Sequence, residues 1–361
     1  MKPFPGTHTN PALPSAGTST CHGRLSWPAR MAVIGAVLAL GACGGGGGGG
    51  SASSGTAAAV VAPVVAPVTT PLVLAAEANA PALSNDTATD GLNWFNFRRQ
   101  QMGLTALTRD SLIDNAAQAH SNYQRLNNLI THEEVSGRPG FTGVDLYDSS
   151  VPTTAMPTVA PDRLRAAGYR FTQSRFAYGE VISATTDGSG FNAAEDLIAA
   201  IYHRFVIFEP MFREAGSGSA TAAGGYNYFT TDFAANGLGA GLGSGGLLGY
   251  PTSGQINVPT IFYSDRESPD PIPGRNEVGY PVSVHADITA TVTVKTFTIQ
   301  PRGGSVLAAF TLSNAVDAHT PLSAAAIIPV AVLAAKTTYD VQFSGTVDGA
   351  AVTRNWSFTT Q

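Results

Sequence analysis

Apolar and polar residues repeat with two different periods along this chain. Between residues 85 and 235 the apolar positions recur every three or four residues, a spacing that predicts amphipathic helices. The predicted helices cover residues 92–101, 112–126, 162–167 and 192–205, the last with Asn192 as its N-cap and Glu195 as capping-box partner. Strands are predicted at residues 176–182 and 226–233. Helices and strands in this irregular order indicate an α+β or three-layer domain.

From residue 250 onward the hydrophobic period changes to two. This alternation predicts short strands at residues 282–285, 288–299, 305–311, 325–332, 338–345 and 352–360. Turns are predicted between them at residues 302–304 and 348–349. Several short strands joined by such turns indicate an all-β sandwich. The Tyr250-Pro251 pair and the closing run at residues 356–360 resemble bacterial Ig-like domains, which implies a role in spacing or binding.

The N-terminal region contains one continuous apolar run, at residues 31–42, which follows Arg24 and Arg30. The run is too short to span about 30 Å of hydrocarbon, so we interpret it as a signal peptide. Its end, Leu40-Gly41-Ala42-Cys43, resembles the lipobox of bacterial lipoproteins. That resemblance implies that Cys43 is acylated and becomes the first residue of the mature chain. The next residue is Gly44, and in this position the sequence resembles lipoproteins that are sorted outward in diderm bacteria.

Composition then predicts the order of the segments. Residues 1–43 are the signal peptide with its lipidated cysteine, although residues 1–30 lack any pattern and Met31 is an alternative start. Residues 44–84 carry a single charge, at Glu77, and predict a disordered tether. Residues 85–235 form the α+β domain, residues 236–249 a Gly-rich linker, and residues 250–361 the β-sandwich.

Charge and cysteine content exclude several classes of function. The chain has 20 basic and 25 acidic residues, a net charge of −5, so it lacks the positive field needed to hold nucleic acid. Its two cysteines, Cys21 and Cys43, both lie in the region assigned to export, and the mature protein is expected to have no disulfide. Its domains must therefore be held by packing.

A set of short motifs lies between residues 85 and 235, at residues 96–99, 103–104, 116–121, 131–132, 139–143, 163–169, 179–180, 203–204, 212–218 and 228–233. In their residues and their order, these motifs resemble the CAP superfamily of cysteine-rich secretory, antigen 5 and pathogenesis-related 1 proteins, in its bacterial SCP-like branch. The resemblance implies an α-β-α sandwich with a central cavity lined by two histidines and two acidic residues. Val181 departs from the family, which usually has Asn after the Gly-Glu pair.

Carried over residue by residue, the resemblance matches His132, Glu180, His203 and Glu214 to these four cavity positions. We expect His132 and His203 to bind the metal, and Glu180 and Glu214 to be the catalytic residues. Two imidazoles and two carboxylates suffice for a divalent metal such as zinc, or for acid/base work through water. Their separation along the chain cannot establish that they meet. His120 shares a helical stripe with apolar residues and is interpreted as a core or cavity-rim residue.

Other chemistries find little support in the sequence. His132-Glu133 begins like the HExxH zinc motif, but Ser136 occupies the place of the second histidine. There is no GxSxG nucleophile elbow and no GxxxxGK phosphate loop. The GxGxxG match at residues 241–246 lies in a glycine-rich stretch that no predicted helix follows.

The sequence therefore predicts a cell-envelope lipoprotein, exported and anchored through Cys43 to the outer membrane or cell surface. The first hypothesis is a binding module whose CAP cavity holds a divalent metal, a lipid or a sterol-like ligand. The second is a metal-assisted hydrolase that acts on peptides or an envelope polymer, with Glu180 or Glu214 as base. The third is a structural or adhesive surface protein, in which the Ig-like domain binds an envelope polymer or another protein. Whether the chain is an enzyme stays open.

Overall fold

Among the described residues, four of the five α-helices begin at a side chain that accepts a hydrogen bond from the first turn. In this computed structural model, which describes residues 36–37, 77–151, 160–239 and 241–361, these caps are Asp86, Asp110, Asp162 and Ser189. The helices are α1 (Thr87–Gln101), α2 (Ser111–Asn127), α3 (Arg163–Ala166), α4 (Gly190–Ala199) and α5 (Ile201–Ile207). Apart from residues 36–37, the predicted signal peptide, Cys43 and residues 44–76 of the predicted tether lie outside the described residues.

One predicted helix differs from the structure. The continuous helix expected over residues 192–205 is divided into α4 and α5 at Ala200, which has the extended backbone angles φ −68° and ψ 116°. Ser189, rather than Asn192, is the N-cap, and its hydroxyl accepts from the Asn192 amide. Glu195 binds Arg98 on α1 instead of closing a capping box.

A five-stranded sheet lies between two layers of helices. Its strands are β1 (Ala36–Val37), β2 (Thr108–Arg109), β3 (Ala177–Thr185), β4 (Glu214–Thr221) and β5 (Asn227–Ala235), in the order β1-β3-β5-β4-β2. A Cβ added at Gly216 would lie 2.1 Å from the Asp114 amide, so α2 rests directly on β4. A Cβ added at Gly179 would lie 2.7 Å from Val206, which places α5 on the opposite face. The predicted α-β-α sandwich is confirmed.

The C-terminal region is a β domain, as predicted. Its strands are β6 (Leu248–Tyr250), β7 (Ile261–Tyr263), β8 (Glu277–Gly279), β9 (Val282–His285), β10 (Val292–Pro301), β11 (Ala309–Ser313), β12 (Ala324–Pro329), β13 (Thr338–Val347) and β14 (Ala350–Thr359). They form the sheets β10-β13-β14, β11-β12-β9-β6 and β7-β8. The turn between β13 and β14 uses Asp348 and Gly349, both with positive φ. The Ig-like assignment stays a prediction.

The two folded regions share one hydrophobic core. Leu238 and Leu247, at the two ends of the predicted linker, are buried in a cluster that contains residues of both regions. Arg204 on α5 is fully buried, donates to the Pro281 carbonyl at 2.7 Å and lies 4.9 Å from the ring centre of Tyr250. The β domain is therefore packed on the layer of α5. No helix in the described ranges is long and apolar enough to cross a membrane.

Candidate functional site

The Gly-Glu pair of β3 places the Glu180 side chain on the face of the sheet that α2 and α3 cover. Successive residues of a strand point to opposite faces, and Gly179 faces α5, so Glu180 faces the layer of α2 and α3. Its side chain is 5% exposed. The segment that follows α2 brings His132 to the same place.

His132 and Glu180 meet as the resemblance implied. The imidazole Nδ1 of His132 lies 2.8 Å from Glu180 Oε1, and the guanidinium of Arg163 donates to Glu180 Oε2 at 2.6 Å. Arg163 also donates to the His132 carbonyl at 2.6 Å, so one arginine fixes both members of the pair. Burial by itself raises the pKa of Glu180, but Arg163 and the neighbouring histidines outweigh it and hold that pKa well below its usual range.

The other ring nitrogen of His132 is available. The His132 side chain is 25% exposed, and within the described ranges its Nε2 has no hydrogen-bond partner. An imidazole that is held at Nδ1 by a carboxylate and exposes Nε2 can coordinate a metal, accept a proton or hydrogen-bond a ligand.

A second histidine-carboxylate pair supports the loop that carries His132. His120 on α2 and Glu134 are both fully buried, and His120 Nδ1 lies 2.9 Å from Glu134 Oε1. The other ring nitrogen of His120 contacts the Thr131 carbonyl at 2.7 Å. Glu134 also accepts from the Thr142 and Gly143 amides. His120 is thus a core residue, as interpreted from its helical stripe, and its partners position the loop.

Sequence reasoning missed an acidic residue beside Glu180. Asp232 on β5 is the cross-strand partner of Glu180 on one side and of Gly216 on the other. It is fully buried, and neither carboxyl oxygen has a hydrogen-bond partner among the described residues. Burial and the charge of Glu180 raise its pKa well above the ordinary value, against the opposing effect of Arg163. The period-two pattern of residues 226–233 places Asp232 on one face of its strand, but only the register with β3 shows that Glu180 lies on that face too.

His203 lies elsewhere. It belongs to α5, on the face of the sheet opposite Glu180, and its Nδ1 is 3.0 Å from Glu267 Oε1. Glu267 comes from the β domain, is buried, and also accepts from the Ile201 and Tyr202 amides at 2.7 Å. The sheet therefore separates His203 from His132.

Glu214 also has a different partner. It accepts a hydrogen bond from the hydroxyl of Tyr169. Burial and this carboxylate raise the pKa of the Tyr169 hydroxyl far above its usual range. Of the four residues that the resemblance assigned to one cavity, only His132 and Glu180 are in contact, and the catalytic and metal-binding roles of all four remain predictions.

The described residues contain no group of three or more His, Cys, Asp or Glu side chains that could hold a metal ion. Structural zinc sites use four protein ligands and catalytic ones three. His132 alone fits only an open, exchangeable site, in which solvent or a bound ligand fills the other positions.

Comparison with known proteins agrees with the motifs. The CAP family, described as the cysteine-rich secretory protein family, matches residues 92–233. No curated protein matches the chain.

Similar solved structures include an extracellular SCP-domain protein from Bacillus anthracis, with 20% identity, a TM-score of 0.31 and coverage of 43% of this chain and 44% of that one. An outer surface protein of Borrelia burgdorferi has 12% identity, a TM-score of 0.29 and coverage of 40% and 88%. Venom allergen-like protein 4 of Schistosoma mansoni has 11% identity, a TM-score of 0.27 and coverage of 42% and 90%. The chain thus spans less than half the length of the first of these.

The matched segment begins within α1 and ends within β5, so it includes β2, β3 and β4, most of β5, α2 to α5 and the His132–Glu180 pair. The chain therefore carries a domain of the CAP superfamily at residues 92–233.

Proposed function

We propose that this chain is an extracytoplasmic binding protein whose CAP domain takes its ligand at His132. The observation that carries the proposal is the contact of His132 Nδ1 with Glu180, which leaves Nε2 exposed. Arg163 binds both the Glu180 carboxylate and the His132 carbonyl, so the imidazole is already oriented before a ligand arrives. Less conformational entropy is then lost on binding.

Zinc is the ligand that we propose to test first. A histidine that binds a metal usually has its other ring nitrogen held by a carboxylate or a carbonyl, which is the arrangement of His132 and Glu180. Because the described ranges contain no group of three or more such ligands, we expect weak, exchangeable binding rather than a resident ion. A lipid or sterol-like ligand near His132 is the other expectation from the family resemblance.

The test is a calorimetric titration of the purified protein with zinc chloride. H132A is expected to abolish the binding heat, whereas H203A, which removes the histidine on the opposite face of the sheet, is expected to retain it. E133A removes an exposed carboxylate next to His132 and serves as the matched control. Zinc binding that persists in H132A, or that is lost in H203A alone, contradicts the proposal.

The hydrolase alternative has less support. Both oxygens of Glu180 are engaged, by His132 and Arg163, and its lowered pKa makes it a weak base at neutral pH. Glu214 is bound to Tyr169. His132 is the one group of this site with a free basic nitrogen, so any hydrolysis would be expected to depend on His132 more than on Glu214.

We further propose that the protein is anchored through an acylated Cys43 at the outer membrane or cell surface of a diderm bacterium, with the β domain facing an envelope polymer or a surface protein. The lipobox-like sequence before Cys43 supports this proposal. Metabolic labelling with palmitate, compared between the wild type and C43S, tests it. Equal label in both chains would rule out acylation at Cys43.

A further inference from the structure

The sheet formed by β10, β13 and β14 carries a polar cavity on one face. The cavity has a volume of about 450 Å³, which lies within the range of about 300–1,000 Å³ found for ligand pockets. Two rows of side chains line it, and the members of each row are opposed across the strands: Thr298, Gln342 and Asn355 in the first row, and Gln300, Asp340 and Ser357 in the second. The cavity is therefore built on regular strands, with Ser253 from a neighbouring loop as a further lining residue.

The core of the β domain lies on the other side of these strands. Successive residues of a strand point to opposite faces, and the residues between the two rows are Ile299, Val341 and Trp356. Ile299 and Val341 are buried in the hydrophobic core. The indole of Trp356 donates to the Pro251 carbonyl at 2.9 Å, and a Cβ added at Gly249 would lie 2.9 Å from its ring. Because packing fixes this inner face, the outer face needs little rearrangement to receive a ligand.

The amide groups of the two rows are available to a ligand. Within the described residues, the side chains of Gln300, Gln342 and Asn355 have no hydrogen-bond partner, and neither do the hydroxyls of Thr298 and Ser357. An amide offers one acceptor oxygen and two donor hydrogens, and a hydroxyl can both donate and accept. The cavity thus presents donors and acceptors together on adjacent strands.

The charge of the lining indicates the class of ligand. Asp340 is the one charged side chain among the lining residues, and Arg302 is ion-paired with it at 2.7 Å. A phosphate would find no cation in this lining, and a divalent metal would find a single carboxylate where it needs several oxygen ligands. The rows are polar, whereas a lipid site requires apolar walls. A neutral sugar fits this lining, because each of its hydroxyls both donates and accepts.

We propose that this cavity binds a neutral glycan, with Gln342 and Asn355 as the main hydrogen-bonding residues and the second row as a continuation of the contact. Gln342 and Asn355 are exposed and directly opposed on β13 and β14, so their amides can bind the same sugar ring. The inference rests on the proposed contact of the β domain with an envelope polymer and names the chemistry of that polymer. It gives the chain a second binding site, which belongs to the β domain and does not involve His132.

The test is calorimetric titration of the purified protein with cellohexaose, maltohexaose and chitohexaose, which are neutral oligosaccharides that differ in linkage and in their acetamido groups. At least one of them is expected to bind. Q342A and N355A should each weaken that binding about tenfold, the loss expected when the hydrogen bonds of one amide are removed. T311A removes an exposed hydroxyl on β11, in the other large sheet, and should bind like the wild type.

The proposal is overturned if none of the three oligosaccharides binds, or if Q342A and N355A bind as tightly as T311A. Tighter binding of polygalacturonate, an anionic polysaccharide, than of every neutral oligosaccharide also contradicts it. Both replaced side chains are exposed, so neither variant is expected to change the fold.

Co-sedimentation with cell-envelope fragments from a diderm bacterium separates this inference from the proposed function. The fragments are expected to retain the wild type and T311A, and to retain less of Q342A and N355A. If they retain all four proteins equally, the β domain contacts the envelope elsewhere and the assigned cavity is wrong. If they retain none, although an oligosaccharide binds the wild type and not the variants, the cavity is supported and the envelope contact is wrong.

Discussion

Replacement of Glu267 by alanine is expected to destabilise the whole molecule. Glu267 lies in the β domain, yet its carboxylate accepts from the amides of Ile201, Tyr202 and His203, the first residues of α5, at 2.7, 2.7 and 3.2 Å. Its side chain is 0% exposed. The first amides of a helix have no partner within the helix, so α5 depends on this acceptor to begin.

The size of the effect follows from these contacts. A buried donor left without its acceptor costs about 1–3 kcal/mol, and a negative charge at a helix N-terminus adds up to about 2 kcal/mol. Water that enters the space left by the side chain recovers part of this loss. We therefore expect E267A to lower the free energy of unfolding by about 3–5 kcal/mol. E267Q retains one accepting oxygen and should fall between E267A and wild type.

Urea denaturation monitored by tryptophan fluorescence measures this loss. Trp94 lies in α1 and Trp356 in β14, so W94F and W356F backgrounds report on the two regions separately. Because the core is shared, both probes should give the same midpoint, and E267A should move both midpoints together. E277A, which removes an exposed glutamate on β8, is the control. A loss in E267A within 1 kcal/mol of the loss in E277A would refute the argument, because unsatisfied buried donors cost more than that.

Three further predictions concern the core. G216A places a Cβ 2.1 Å from the Asp114 amide and should lower the free energy of unfolding by about 1–3 kcal/mol or more, measured by urea denaturation. R163M leaves Glu180 without its counter-ion and should cost about 3–5 kcal/mol in the same assay; unchanged stability would contradict the buried ion pair. Burial raises the pKa of Glu209 to about 8. The unfolded chain releases this proton near pH 4.5, whereas the folded chain holds it. The free energy of unfolding of the wild type should therefore fall relative to that of E209Q by about 1.4 kcal/mol per pH unit between pH 4.5 and 8. If the difference between the two proteins does not change with pH, the raised pKa is excluded.

Local sequence signals predicted the elements whose stabilising contacts are close in sequence. The apolar stripe from Leu112 to Leu126 appears as α2, and Asp110 caps it from the preceding position. The break between α4 and α5 could not be predicted in this way, because the carboxylate that starts α5 lies 66 residues away from Ile201. Periodicity over residues 192–205 is the same for one helix as for two.

The contacts of the predicted linker, residues 236–249, could not be predicted from its composition either. Its glycines favour a flexible connection, but Leu247 enters the core, and Asp287 of the β domain binds the Leu242 and Gly243 amides at 2.7 and 3.0 Å. Composition reports how many conformations a segment can adopt in isolation. It does not report which distant side chains will fix one of them.

The candidate site was predictable only in part. The Gly-Glu motif and the histidine after the second helix identified the His132–Glu180 contact. His203 was assigned to the same cavity because motif order carries no information about which face of a sheet a helix covers. Asp232 was missed because it follows two threonines in an aromatic strand, where the chemistry becomes visible only after the register with β3 is known.

The continuous packing between the CAP domain and the β domain has a mechanical consequence. Because Arg204 is enclosed between the CAP domain and the β domain, the two regions are expected to rotate as one body. Whatever holds the β domain also sets the direction in which the His132 imidazole faces. A partner bound to the β domain would therefore also determine the orientation of the exposed His132 side chain.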